Sequence, residues 1–271
     1  MIYQERIAKL RNLILQKPDK MLSLYLNTDR RDQEQQDGKW KIALKTGFNR
    51  LEEYLKVSSE EELKRLHSIR QKVEKYIENL GRKRPRGIVI FASEDSGVWE
   101  VFELQVPVET RFYWEERPVL DQLTELHKQY PLTALILMQQ NQVKILKTNF
   151  AHLEGSETIE VDLVFDDWRK NEGPSHVNSS MGGKAVKSAN QVDHFEDRVK
   201  ENQYRWIKSL GSKLDKKIAD EKFEKVILVG DKEEGKMLDK NMNKQIDTII
   251  QKNLFNENEH RVVEKLFDVN K

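Results

Sequence analysis

The chain has no cysteine among its 271 residues. That absence removes disulfides, thiolate metal sites and cysteine nucleophiles together, and it fits a reducing compartment. Long apolar runs are also missing, since no stretch approaches the roughly 20 residues that a membrane-spanning helix requires. Nor is there an excess of one charge. Lys plus Arg (47) nearly balances Asp plus Glu (46), for a net charge of +1. Any basic surface must therefore come from local segregation. Charged residues at 34% and hydrophobic residues at 37% make a polar but globular chain, not a disordered one. The length suits one large domain or two small ones, each able to bury a core. Met1 is followed by Ile2-Tyr3-Gln4-Glu5-Arg6, a charged start with no apolar signal core. The expected setting is intracellular and cytoplasmic, with no membrane partner.

What is present reads as alternating helices and strands. Ile7, Leu10, Leu13 and Ile14 repeat at helical spacing, ended by Pro18-Asp19, and Met21 to Leu26 is a short apolar strand. Trp40, Leu44, Phe48, Leu51 and Leu55 form one helical stripe. Leu63, Leu66, Ile69, Val73, Ile77 and Leu80 form a second, opened by the capping box Ser59-Glu60-Glu61-Glu62 and closed by Gly81. Strands are expected at 87–91, 98–104 and 111–114, then a short helix to Gln129. Pro131 is the expected domain boundary, giving domains 1–130 and 131–271. Beyond it the sequence predicts a strand at 132–138, a turn at 139–142, a partner strand at 143–147, and a strand at 159–165. Helical periodicity returns over 184–217 through Val192, Phe195, Val199, Trp206, Leu210 and Leu214, with Gly211 a weak point. A strand at 223–229 follows, and the stretch from Lys236 reads as helix with Ile246, Ile249 and Ile250 inward.

Arg169 to Gly183 is almost free of apolar residues and contains Gly173-Pro174, Asn178-Ser179-Ser180 and Gly182-Gly183. A loop of this length with no fold of its own is uncommon unless it is functional or disordered. It is not a P-loop: Asn178 stands at the required glycine, and Ala185 follows Lys184 where a hydroxyl should bind magnesium. The glycine pair admits backbone angles closed to other residues, and ahead of a long helix it leaves N–H groups beside positive dipole. The bland alternative is an ordinary helix entry after a long loop. His67, His127, His152, His176, His194 and His260 show no metal-ligand spacing. Asp162, Asp166 and Asp167 suit either a solvated strand edge or a Mg-dependent nuclease site. The basic knot Arg82, Lys83, Arg84 and Arg86 either complements a helix dipole or binds RNA phosphate.

The order strand, hairpin, polar loop, Gly182-Gly183, then a long helix with Phe195, Arg198, Tyr204 and Arg205, resembles the central domain of archaeal and eukaryotic class-I peptide-chain release factors. Upstream, the Trp40 helix, the 87–91 strand and the Trp99 to Val108 region resemble that family's amino-terminal domain. The comparison is with a bacterial, Vms-like branch and covers nearly the whole chain. It implies an α/β fold of two domains, the second with an RNase-H-like mixed sheet carrying a long flexible Gly-Gly loop.

The resemblance also implies action on peptidyl-tRNA at the peptidyl-transferase centre. In the family the loop ends Gly-Gly-Gln. Here Gly182 and Gly183 match the glycines, and Lys184 stands where the glutamine belongs. Lysine lacks the carboxamide's donor and acceptor pair, but its backbone N–H remains, and its ammonium suits a phosphate contact. His176, Ser179 and Ser180 are nearby polar candidates. Arg82, Lys83, Arg84, Arg86, Lys187, Arg198 and Arg205 are the expected RNA contacts. Asp37-Gly38-Lys39-Trp40 does not reproduce the family's codon-reading motif, which favours codon-independent ribosome rescue. The family's GTPase-recruiting third domain has no counterpart, so ribosome and tRNA are the expected partners, without DNA, metal or cofactor. A binder that has lost hydrolysis is the alternative.

Overall fold

The computed structural model describes residues 3–16, 18–32, 38–81, 84–139, 142–160 and 187–267. The chain divides into two compact units. The first holds the chain up to Pro131 together with Asn149–His152 and the segment from Val263, and the second holds Leu132–Thr148 and Leu153–Val262.

The first unit contains α1 (Tyr3–Arg11), β1 (Met21–Asn27), α2 (Lys39–Ser58), α3 (Glu60–Leu80), β2 (Gly87–Ala92), β3 (Trp99–Leu104), β4 (Arg111–Glu115) and α4 (Asp121–Gln129). Its four-stranded sheet has the order β3-β2-β1-β4, with every pairing antiparallel. Period-two alternation splits β1 and β2 between two cores. Leu22, Leu24, Leu26, Ile88 and Ile90 join the buried stripes of α2 and α3. Met21, Tyr25, Val89 and Phe91 join Ile7, Leu10 and Leu123 on the other side. Both faces are thus covered, which explains the continuous apolar runs of the two central strands.

Ser59 ends α2 and caps α3, its Oγ accepting from Glu62 N at 3.3 Å. The Glu62 carboxylate reaches into the tertiary structure, accepting from Trp114 Nε1 at 2.8 Å and pairing with Lys20 at 3.4 Å. Gly81 closes α3 at φ +50°, in the region that favours glycine. Ile14 is a correction to the first stripe: α1 stops at Arg11, and Ile14 is 60% exposed.

The second unit contains β5 (Thr133–Gln139), β6 (Gln142–Asn149), β7 (His152–Glu160), α5 (Lys187–Glu221), β8 (Lys225–Val229), α6 (Lys232–Lys240) and β9 (Thr248–Ile250), with α7 (Glu259–Leu266) reaching past its end. The sheet has the order β7-β6-β5-β8-β9, antiparallel between β5 and β6 and parallel from β5 through β8 to β9. That is the mixed sheet expected of an RNase-H-like domain. Ala134, Ile136, Met138, Val143, Ile145, Val226 and Leu228 supply one face of its core. Trp206, Ile207, Leu210, Leu214 and Ile218 from α5 cover it.

Two elements differ from the sequence reading. β7 begins at His152, seven residues before the expected strand, and the rest of that expected strand lies outside the described residues. The stretch from Lys236 is not one helix. α6 ends at Lys240, and Thr248–Ile250 is a strand in parallel register with Ile227–Val229.

Candidate functional site

The Gly-Gly segment is inserted between two elements of the second unit. β7 ends at Glu160 at the edge of the sheet, and α5 begins at Lys187. Gly182, Gly183, Lys184, His176, Ser179 and Ser180 lie in this insertion, as do Asp162, Asp166 and Asp167, all outside the described residues. α5 is 35 residues long, about 50 Å at the helical rise. Among the described side chains, its core contacts run from Trp206 to Ile218.

Ion pairs join the two stems. Lys217 on α5 bonds the Glu157 carboxylate on β7 and sits 2.7 Å from Glu221, which also pairs with Lys147 of β6 at 3.0 Å. The hydrogen bonds that Lys217 donates to Glu157 and then to Glu221 raise its pKa. Burial would raise the Glu221 pKa, but the bonds from Lys217 and Lys147 prevail and hold it below its ordinary value. Charge-assisted bonding thus ties β7 and β6 to the C-terminal end of α5.

The expected RNA-binding residues separate. Lys187 and Arg198 lie in the helical run of α5. Arg205 is exposed on the same helix, between half-exposed Tyr204 and buried Trp206. Arg82 and Lys83 fall outside the described residues. Arg84 is half-buried, with Cζ 4.6 Å from the Trp40 ring centroid. Arg86 is a correction. Its side chain is 9% exposed and sits 2.6 Å from Asp29, itself 5% exposed. Its Nε donates to Asp29 at 2.7 Å, and Nη1 donates to Gln105 O. A guanidinium so enclosed is structural and does not present itself to phosphate.

A cleft of about 510 Å³, absent from the sequence reading, opens at the carboxyl ends of β5, β8 and β9, lined in part by Gln139, Asp231, Glu234, Gln251 and Asn253. Asp231 caps α6, accepting from Glu233 N at 2.8 Å and Glu234 N at 3.1 Å. Gln203 of α5 donates to Glu234 at 2.8 Å. Burial and then the charge of Asp231 push the Glu234 carboxyl above its ordinary value. The ends of adjacent parallel strands are a common place for such a crevice, and only the chain crossings reveal it. Among the described residues, no group of three His, Asp or Glu side chains is placed to hold a metal ion, and no helix is long and apolar enough to cross a membrane.

Residues 131–268 match the model of bacterial archaeo-eukaryotic release factor family 5, just over half of the chain. The chain belongs to this family. It is also 50% identical over 260 residues to the uncharacterized protein YocB of Bacillus subtilis (strain 168), covering 96% of each chain. Among solved structures, an archaeal protein and the archaeal translation termination factor aRF1 each share 16% identity, with TM-scores of 0.32 and 0.31. Each alignment covers 92% of this chain, which spans 65% of the length of either structure. The family 5 match begins just before β5 and runs through α7, so it contains both stems, the Gly-Gly segment, Lys187, Arg198 and Arg205. Arg84 and Arg86 lie upstream of it. This is a release-factor-like protein.

Proposed function

We propose that the protein acts on peptidyl-tRNA at the peptidyl-transferase centre of the large ribosomal subunit, in a codon-independent rescue or quality-control role in the cytoplasm. The observation that carries this reading is the position of Gly182-Gly183 within the matched family segment, between an edge strand and a long core-packed helix. Gly182 and Gly183 give the backbone its freedom. The Lys184 N–H supplies a donor for the leaving 3′-oxygen, and its ammonium contacts nucleic-acid phosphate. The first domain serves as a release-factor amino-terminal-like module, and the partners are rRNA and tRNA.

One residue favours a second reading. Lys184 replaces the carboxamide that positions water in the resembling family, which suits a ribosome or tRNA binder without hydrolysis. The test is release of labelled peptide from stalled ribosomes and from large subunits carrying peptidyl-tRNA. Release by wild type that is lost in Gly183→Ala supports hydrolysis through this segment. Release by Lys184→Gln alone makes the native protein a binder. No binding to ribosomes by any variant overturns both readings.

A further inference from the structure

Between Asn202 and Ala219, α5 has two distinct sides. Trp206, Ile207, Leu210, Leu214 and Ile218 pack into the core of the second unit. At about 3.6 residues per turn, Arg205, Lys208, Ser209, Ser212, Lys213 and Lys216 fall on the opposite side, joined by steps of three and four. All six are exposed. The row is about 16 Å long and places roughly one cation on each turn. Arg205 is the member that the sequence marks as an RNA contact, and the fold adds the lysines beside it.

The acids of this stretch are held elsewhere. Asp215 is half-buried and accepts from Asn243 N at 2.8 Å, Asn243 Nδ2 at 2.9 Å and Lys244 N at 3.0 Å, which ties it to the connection after α6. Glu221 is bonded to Lys217 and Lys147. From Asn202 to Ala219 every exposed charged side chain is basic, with Glu201 and Asp220 standing just outside either end. Among the described residues, no ion pair involves Arg205, Lys208, Lys213 or Lys216. A protein whose overall charge is only +1 thus keeps a stretch of one sign on one helix face.

The composition of the face selects its partner. A basic amphipathic helix can lie on a membrane through its apolar side, but that side of α5 is already buried against the sheet. Protein interfaces are anchored by aromatic and aliphatic groups, and the row contains none. Cations interleaved with hydroxyls are the groups that meet phosphate oxygens. We propose that Arg205, Lys208, Lys213 and Lys216, with Ser209 and Ser212 between them, form a docking face for the phosphate backbone of RNA, held without base reading. The choice of RNA rests on the release-factor-like reading above, and the face itself rests on the segregation of charge along α5. Arg205 stands about 27 Å along the helix from Lys187, the end that follows the Gly-Gly segment in the chain, so the lysines beyond it are positioning residues.

The test is fluorescence anisotropy of the full chain with a labelled RNA hairpin over a range of salt. Lys208→Gln, Lys213→Gln and Lys216→Gln should each weaken binding about three- to tenfold at low salt and reduce the slope of log K against log salt by about one. Together the three changes should reduce that slope by about three. A charge-matched combination of Lys64→Gln, Lys75→Gln and Lys128→Gln, all exposed in the first unit, should bind as wild type. Lys213→Arg keeps the charge and should keep the binding. Both combined variants should melt close to wild type, since exposed changes of this kind alter stability little.

No binding of the hairpin by wild type overturns the face, as does unchanged binding by the combined α5 variant. An equal loss in the first-unit combination assigns the effect to net charge and also overturns it. Displacement of the RNA by poly-glutamate at equal charge concentration makes the face a site for acidic protein and removes the assignment to RNA. If RNA binding falls in the α5 variants while wild type releases no peptide, the face stands and the hydrolytic reading falls. Peptide release by wild type with unaltered RNA binding in those variants removes the face alone.

Discussion

In the first unit the Arg86–Asp29 pair is enclosed, with side chains 9% and 5% exposed. The Asp19 carboxylate is also buried there, 4% exposed, and accepts from Ser93 Oγ at 2.5 Å and Ser96 Oγ at 2.6 Å. In the second unit the corresponding charges stand at the surface: Lys217, Glu157 and Glu221 are 25%, 53% and 28% exposed. The difference concerns what each charge holds together. Enclosed pairs cross-link distant segments of a two-faced sheet and are costly to break singly. Surface pairs link β6 and β7 to the C-terminal end of α5 and contribute little each.

Asp29→Ala is the most severe way to break this contrast. It leaves the Arg86 guanidinium enclosed without its carboxylate, and the expected loss is about 3–5 kcal/mol. Denaturant unfolding measures it. Pairing Asp29→Leu with Arg86→Met removes both charges and should cost less than the single change. A single-variant loss below about 1 kcal/mol would mean that the pair behaves like a surface bridge.

Gly211 tests the hydrocarbon side of the second unit. Helix propensity alone says that Ala should stabilise α5 there by about 1 kcal/mol. The fold says the reverse, because an added Cβ would meet Asn241 O at 2.4 Å and Asn241 C at 3.0 Å. Gly211→Ala should therefore destabilise by about 1–3 kcal/mol, the usual range for overpacking. A gain in melting temperature would show that the connection after α6 yields freely.

Gly211 also marks how far the sequence could be read. It is identifiable as a weak point in a helical stripe, but its reason is a backbone that arrives from another part of the chain. Long stripes were legible because burial repeats at the helical period, as in Trp40, Leu44, Phe48 and Leu55. β9 was misread because Ile246, Ile249 and Ile250 have helical spacing, although hydrogen bonding to β8 decides their state. The start of β7 was missed because an edge strand carrying Glu154, Ser156, Glu157 and Thr158 has too few apolar residues to signal alternation. The Gly-Gly motif and its position before a helix were visible. The enclosure of Arg86 depends on a pairing with Asp29 across more than fifty positions, which no local pattern encodes.

Lys217→Met sharpens the comparison from the exposed side. It removes the bonds to Glu157 and Glu221 while keeping most of the aliphatic stem, so the expected loss is about 0.2–1 kcal/mol. The loss should shrink in high salt, where exposed pairs are screened. The Asp29→Ala loss should persist there. Thermal melts of both variants at low and high salt read the two responses together, and equal salt sensitivity would erase the distinction between enclosed and surface charge.

Glu234 gives the subtlest effect, because it lies between the two extremes. It is half-buried, and burial followed by the charge of Asp231 raises its pKa, while the bond from Gln203 acts the other way. A carboxyl whose folded pKa lies above its unfolded value binds its proton more tightly in the native state. Its contribution is fully present below the unfolded value, about 4.3, and is lost as pH rises through the higher folded value. Asp19 and Glu221 act in the opposite sense, since their folded values are lowered and their contributions are lost as pH falls. The overall pH profile therefore mixes signs, and the difference between wild type and Glu234→Gln isolates the one group. Glutamine keeps an acceptor for Gln203, so the variant should melt above wild type at neutral pH. That advantage should fade on acidification and vanish near the ordinary glutamate value. A constant advantage at every pH would place the effect in packing. An advantage that grows on acidification would mean that the cleft at the ends of β5 and β8 holds Glu234 charged, reversing the role that its burial gives it.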